Sequence, residues 1–156
     1  MKYFKKCTCC ESPWFTRDEF MQDENTQLVG YQANFCQLEL GYFLFNHLTC
    51  ESTIAIPAGL FKDLYAGPVF AERMTGTEVC QGFCKDIDAI EPCDAQCECA
   101  YVREIMQIIR NWPKADYRTD KTAEVISEAS PQVRVVSQCC HEVKKSLYAP
   151  GIRTQT

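Results

Sequence analysis

Cysteine dominates the chemistry open to this chain. Twelve of its 156 residues are cysteines, and only two are histidines. Five cysteines, Cys80, Cys84, Cys93, Cys97 and Cys99, fall within the twenty residues "CQGFCKDIDAIEPCDAQCEC". A second group, "CTCC", places Cys7, Cys9 and Cys10 near the N-terminus, and a third, "CCH", spans Cys139 to His141. Thiols gathered in this way bind a metal as thiolates, pair as disulfides, or exchange electrons.

Cys7 and Cys10 have C-x-x-C spacing. A tight turn then brings both thiolates to one side, and free backbone N–H groups in the turn can donate to sulfur. The sequence offers a matching half in "HLTC", where His47 and Cys50 repeat the spacing between two expected strands. Together they make the four-ligand tetrahedral set that zinc prefers. The pattern C-x-x-C, strands, H-x-x-C resembles the knuckle pair of a zinc ribbon. The resemblance covers residues 7–50, with 36 residues between the knuckles and without the usual Pro and Gly beside the cysteines. It implies a metal held by Cys7, Cys10, His47 and Cys50. A plainer reading exists for each residue alone: His47 follows "FLFN" and suits a hydrogen-bonded core histidine, and Cys50 suits a small buried hydrophobe. Cys9 is a surplus thiol, able to stand in for Cys7 or Cys10 or simply to be exposed.

The five-cysteine stretch reads in three ways. Cys80 and Cys84 are four apart, as are Cys93 and Cys97, and residues i and i+4 share one face of a helical turn. Two such turns facing each other present four sulfurs to zinc. They equally allow nested disulfides, Cys80 to Cys97 and Cys84 to Cys93, and paired C-x-x-x-C segments resemble those of certain mitochondrial intermembrane-space chaperones. An iron–sulfur cluster also takes four thiolates, although the spacings differ from ferredoxin runs. Cys99 falls outside the paired spacing and is the expected outsider; it shares a site with Cys97 only where the backbone is extended or irregular. From Glu78 to Glu104 there are seven acids against Lys85 and Arg103. Clustered thiolates in that setting call for a cation, and the acids disfavour a nucleophilic cysteine. Most of those acids suit a solvated surface. In "CCH", one cysteine with His141 can add a ligand, but a buried cysteine beside an exposed one is the simpler expectation.

Other chemistry is thinly represented. The chain contains no P-loop, no G-x-G-x-x-G, no G-x-S-x-G and no thioredoxin-like C-x-x-C. Both histidines lie beside cysteines, so metal ligation explains them at least as well as a Cys–His nucleophile pair. The formal charge is −5, and the basic pairs Lys5-Lys6 and Lys144-Lys145 are short, which disfavours nucleic acid as a partner. No run approaches the roughly 18 apolar residues of a membrane span, and "MKYFKKCTCCESPW" lacks the apolar core of a signal peptide. The expectation is a cytoplasmic protein with reduced thiols and no membrane partner.

The elements that must position these residues follow from the pattern. Thr16 and Glu19 form a capping box for a short helix. Residues 26–57 read as three or four antiparallel strands, with Tyr31, Ala33 and Phe35 alternating against Gln32 and Asn34, Cys36 in a core strand, and Gly41 at a bend or bulge. "PAGLFKDLYAG" reads as a short helix with Leu60, Phe61 and Leu64 on one face, stopped at Gly67-Pro68. "AYVREIMQIIRNWP" is the strongest helix, with Tyr101, Ile105, Ile108 and Trp112 near a 3.6 spacing, joined by Val102 and Ile109. The expected fold is α+β: a small antiparallel sheet packed against one main helix, with cysteine-rich loops stabilised by metal. Residues 1–113 form that domain, and 114–156 are a C-terminal extension packed on it or partly flexible. The expected ligands are Cys7, Cys10, His47, Cys50, Cys80, Cys84, Cys93 and Cys97. The expected cofactor is zinc, with an iron–sulfur cluster as the alternative, and the expected role is that of an accessory or interaction protein for another protein. A disulfide-stapled binding protein is the further alternative.

Overall fold

The computed structural model describes residues 2–115. Antiparallel strands β1 (Lys5–Lys6) and β2 (Pro13–Trp14) form a small ribbon, followed by helix α1 (Arg17–Gln22). A three-stranded antiparallel meander comprises β3 (Thr26–Gln32), β4 (Tyr42–His47) and β5 (Ser52–Pro57). Short 3-10 helices cover Leu38–Leu40, Ala58–Leu64 and Phe83–Lys85, and helix α2 runs over Ala100–Arg110. The architecture is α+β with cysteine-rich loops.

The period-2 pattern of β4 buries Phe43, Phe45 and His47 on one face. The register sets Phe43 opposite Ile56, Phe45 opposite Ile54 and His47 opposite Ser52. On the other side, Tyr31 faces Phe43, Leu28 faces Phe45 and Thr26 faces His47. The inward face therefore carries aromatic and aliphatic side chains until its last position, where it carries an imidazole. Phe20 from α1 packs edge-on to Phe45 at 4.9 Å, and Phe61 closes on Phe43 at 5.6 Å. Each fully buried ring of this kind contributes about 1.5–3 kcal/mol.

The capping box forms as read: the Thr16 hydroxyl accepts from the Glu19 N–H at 3.1 Å, and the Glu19 carboxylate accepts from the Thr16 N–H at 3.3 Å. At the other end of α1, the Lys114 ammonium donates to the carbonyls of Met21, Asp23 and Thr26 at 2.9, 3.0 and 2.8 Å. Burial lowers its pKa. The Ala115 N–H joins the Gln22 carbonyl at 2.9 Å. The rest of the C-terminal extension, with Cys139, Cys140 and His141, lies outside the described residues.

Four local expectations need correcting. Strand β3 stops at Gln32 because the Asn34 side chain accepts the N–H groups of Cys36 and Gln37, at 3.0 and 3.2 Å, and turns the chain. Ala33 and Phe35 thus leave the sheet, and Cys36 is exposed rather than core. Gly41, by contrast, takes the bend expected of it, between the 3-10 turn and β4, and packs closely, its missing Cβ standing 2.7 Å from Tyr31; the sheet's bulge falls elsewhere, between Leu28 and Gly30. The helix after Pro57 is a 3-10 helix, so Phe61 and Leu64 align three apart while Leu60 points to solvent. In α2, Tyr101, Val102, Ile105 and Ile109 are buried as expected, joined by Met106 and Arg103, whereas Ile108 and Trp112 are only half-buried.

Candidate metal centre

His47 reaches the end of the sheet's inward face because β4 alternates correctly from Phe43 onward. The β4–β5 turn then carries Cys50, whose N–H bonds to the His47 carbonyl at 3.3 Å. The facing knuckle is the turn between β1 and β2, closed by Cys7 N–H to Ser12 at 2.9 Å and Glu11 N–H to Cys7 at 3.1 Å. The ligand atoms of Cys7, Cys10, His47 and Cys50 all lie within 4.8 Å of one another. The Cys7 and Cys50 sulfurs are 3.6 Å apart, and His47 Nδ1 stands 3.4 Å from Cys10 Sγ and 3.3 Å from Cys50 Sγ. Around a tetrahedral centre with metal–sulfur bonds of ~2.3 Å, sulfurs sit about 3.8 Å apart and a sulfur–nitrogen pair about 3.5 Å. The group thus has the edge lengths of one mononuclear site.

The knuckles are near-copies. "CTCCES" (7–12) and "HLTCES" (47–52) both end in Cys-Glu-Ser. In each, the glutamate takes the left-handed backbone conformation, with φ of 62° at Glu11 and 54° at Glu51. In each, the serine hydroxyl meets the sulfur two residues back: Ser12 to Cys10 at 3.2 Å and Ser52 to Cys50 at 3.0 Å. The Gly absent from the sequence pattern is thus replaced by a glutamate in the same sharp turn. Sequence reasoning passed over Glu11, Ser12, Glu51 and Ser52, although the repeated Cys-Glu-Ser was there to be read.

Trp14, buried on β2, packs edge-on against His47 at 5.1 Å, and its indole N–H donates to Asp23 at 2.9 Å. His47 is thereby held between a rigid indole and the sulfurs. The Cys7 thiol is pulled in two directions. Burial pushes its pKa up, but the Ser52 hydroxyl, the N–H groups of Cys10 and Cys9, and His47 outweigh it and bring the thiol down to about 6. Cys50 is pushed up, first by burial and then by the neighbouring Cys7 and Cys10 sulfurs, against the opposing Ser52 bonds. Sulfurs in one buried site cannot all ionise without a cation to share, so the first to lose its proton raises the next.

The loop cysteines stand differently. Among the described residues they do not make a group whose sulfurs all lie within 4.8 Å. The two facing helical turns expected from the four-residue spacing are absent; one 3-10 turn, Phe83–Lys85, carries Cys84. Cys99, expected as the outsider, has its sulfur 3.3 Å from that of Cys97 and hydrogen-bonded to Cys84. Cys84, Cys97 and Cys99 are buried, whereas Cys80 and Cys93 are half-buried. All five carry free thiols, so neither Cys80–Cys97 nor Cys84–Cys93 is joined as a disulfide. No helix among the described residues is long and apolar enough to cross a membrane.

Comparison of the chain with protein-family models, curated proteins and solved structures returned no match.

Proposed function

We propose that Cys7, Cys10, His47 and Cys50 hold one structural zinc ion, and that the chain is a metal-binding accessory or interaction protein whose metal is a folding element. The observation that carries this reading is the mutual approach of the four ligand atoms within 4.8 Å, at spacings that suit a single tetrahedral ion. An iron–sulfur cluster needs its thiolates spread around several irons, so the same spacing favours a mononuclear ion here. Four protein donors also close the coordination sphere, the mark of a structural rather than a catalytic zinc. Folding and metal binding are then one equilibrium.

The direct test is elemental analysis of protein purified under reducing conditions. Wild-type protein should carry zinc that Cys7→Ser and Cys50→Ser each reduce by about one equivalent, since a structural site is filled when the chain is folded. Less than about half an equivalent of any transition metal in the wild type would sink the reading. A brown sample with acid-labile sulfide, lost in Cys50→Ser, would replace zinc by an iron–sulfur centre. Chelation should also change the emission of Trp14, whose ring lies against His47.

A further inference from the structure

Residues 65–99 hold little regular structure. One 3-10 turn, Phe83–Lys85, is their sole helical segment, and no strand pairs them with the sheet. A connection of this length needs something to hold its shape. Part of the answer is backbone contact: the Tyr31 N–H donates to the Ile87 carbonyl at 2.9 Å, and the Glu98 N–H to the Glu72 carbonyl at 2.8 Å. The other feature of the segment is its sulfur.

Cys84, Cys97 and Cys99 are all buried free thiols with Cys93 half-buried near them, and the Cys97 and Cys99 sulfurs stand 3.3 Å apart. Cys84 is hydrogen-bonded to Cys99, and burial, with Cys99 and Cys97 nearby, pushes the Cys93 thiol up. Cys80 reaches Cys93 and Cys99 from the rim. One of these sulfurs already accepts a main-chain N–H group, Cys97 from Met74 at 3.2 Å. Such bonds stabilise a thiolate rather than a thiol.

A second, independent observation comes from α2. Arg103 is 0% exposed. Its Nε donates to Glu91 O at 2.8 Å and its Nη2 to Ala89 O at 2.9 Å and to Glu91 O at 2.6 Å, all neutral carbonyls, while Nη1 has no hydrogen-bond partner among the described residues. No carboxylate of the described residues pairs with it; its guanidinium lies over the ring of Phe83, the neighbour of Cys84, at 5.7 Å. A buried guanidinium without a counter-ion is costly, by several kcal/mol. The missing anion is at hand if the sulfurs beside it are ionised, and clustered thiolates stay ionised when they share a cation.

We propose that Cys84, Cys93, Cys97 and Cys99 form a second metal site, an all-thiolate centre for a soft four-coordinate ion of the zinc class, with Arg103 as its buried counter-charge. Four thiolates and a divalent ion leave a charge of −2, which Arg103 halves. The ion draws the four sulfurs together as it binds, displaces their protons and fixes the loop on α2 and β3. Cys80 is left as a spare thiol at the rim. The site is independent of the Cys7 centre and stands or falls separately from it.

The experiment is cobalt titration of the full chain, stripped of metal under reducing conditions, with elemental analysis of zinc-loaded protein alongside. Wild type should take two ions. Cys93→Ser and Cys99→Ser should each weaken one of them at least ten-fold and leave the other, while Cys50→Ser should do the reverse. The charge-transfer absorbance lost with Cys99→Ser should exceed that lost with Cys50→Ser, as four thiolates against three. The absence of any ion that depends on Cys93 and Cys99 would overturn the proposal, whatever the total count; so would loss of the ion in Cys80→Ser but not in Cys93→Ser, whereas a single ion lost in Cys93→Ser and kept in Cys50→Ser would support the loop site and sink only the Cys7 centre. Should a variant fail to fold, alkylation mapping of zinc-loaded wild type decides: Cys84, Cys93, Cys97 and Cys99 protected until chelator is added supports the site, and free alkylation overturns it.

Discussion

The two cysteine groups are built on different kinds of backbone. Cys7, Cys10, His47 and Cys50 sit in the turns of hydrogen-bonded strand pairs, so register places them before any ion arrives. Cys84, Cys93, Cys97 and Cys99 hang on irregular chain whose position depends on a few backbone bonds and on α2. The first group is organised by its scaffold and lies against the aromatic core through Trp14 and His47. The second has its sulfurs in one neighbourhood but not at ligand spacing, so an ion would have to finish the arrangement. On the two proposals, the tightly spaced group is a site formed before its metal arrives, and the loosely spaced one forms with it.

That contrast predicts unequal consequences for losing a ligand. Cys50→Ser should cost the larger share of thermal stability, because the affected site is continuous with the core, yet leave a chain that is folded at low temperature, where the loop ion can still be counted. Cys99→Ser should keep the cooperative transition and raise amide exchange in 66–99 alone. Hydrogen exchange followed by mass spectrometry separates these outcomes. Equal loss of thermal stability in both variants would break the comparison.

How far the sequence foretold this follows the same division. His47 and Cys50 were legible because alternation in β4 and a C-x-x-C-like spacing are local patterns with a fixed geometric meaning. So was the capping box at Thr16. The contact between Cys99 and Cys97 was not legible because four-residue spacing implies a helical turn only where there is a helix, and nothing in "DIDAIEPCDAQ" guarantees one. Arg103 was missed for a related reason: its burial depends on the carbonyls of Ala89 and Glu91, placed by a loop with no periodicity of its own. The loss of Cys36 to the surface turned on one side chain, Asn34, competing for backbone N–H groups.

Gly30 joins the two regions and offers a way to part them. A Cβ there would lie 2.0 Å from the Ile87 carbonyl oxygen, which is the acceptor for the Tyr31 N–H. Gly30→Ala must therefore push the loop away from β3. Overpacking of this kind costs about 1–3 kcal/mol. The variant should keep the metal at Cys7, Cys10, His47 and Cys50 and hold the second ion more weakly, as cobalt titration would read. If both ions were retained with wild-type affinity, the loop site would not depend on its docking to β3, and its described looseness would have no functional weight.

The smallest effect compares the two knuckles with each other. Glu11 and Glu51 both hold a left-handed conformation that costs an L-residue about 1–2 kcal/mol and glycine nothing. Glycine gives part of this back, because it loses more freedom on folding, roughly 0.5–1 kcal/mol. Glu51→Gly should thus stabilise the domain by about 0.5–1 kcal/mol, a rise of a few degrees in melting temperature. Glu11→Gly should gain less, since Glu11 also meets Lys6 at 3.3 Å in an exposed ion pair worth at most about 1 kcal/mol. The difference between the two should shrink in high salt, which screens that pair. If both substitutions destabilised the protein alike, the glutamates would be serving the ligand turns through more than backbone shape, and the Cys-Glu-Ser repeat would belong to the metal site itself.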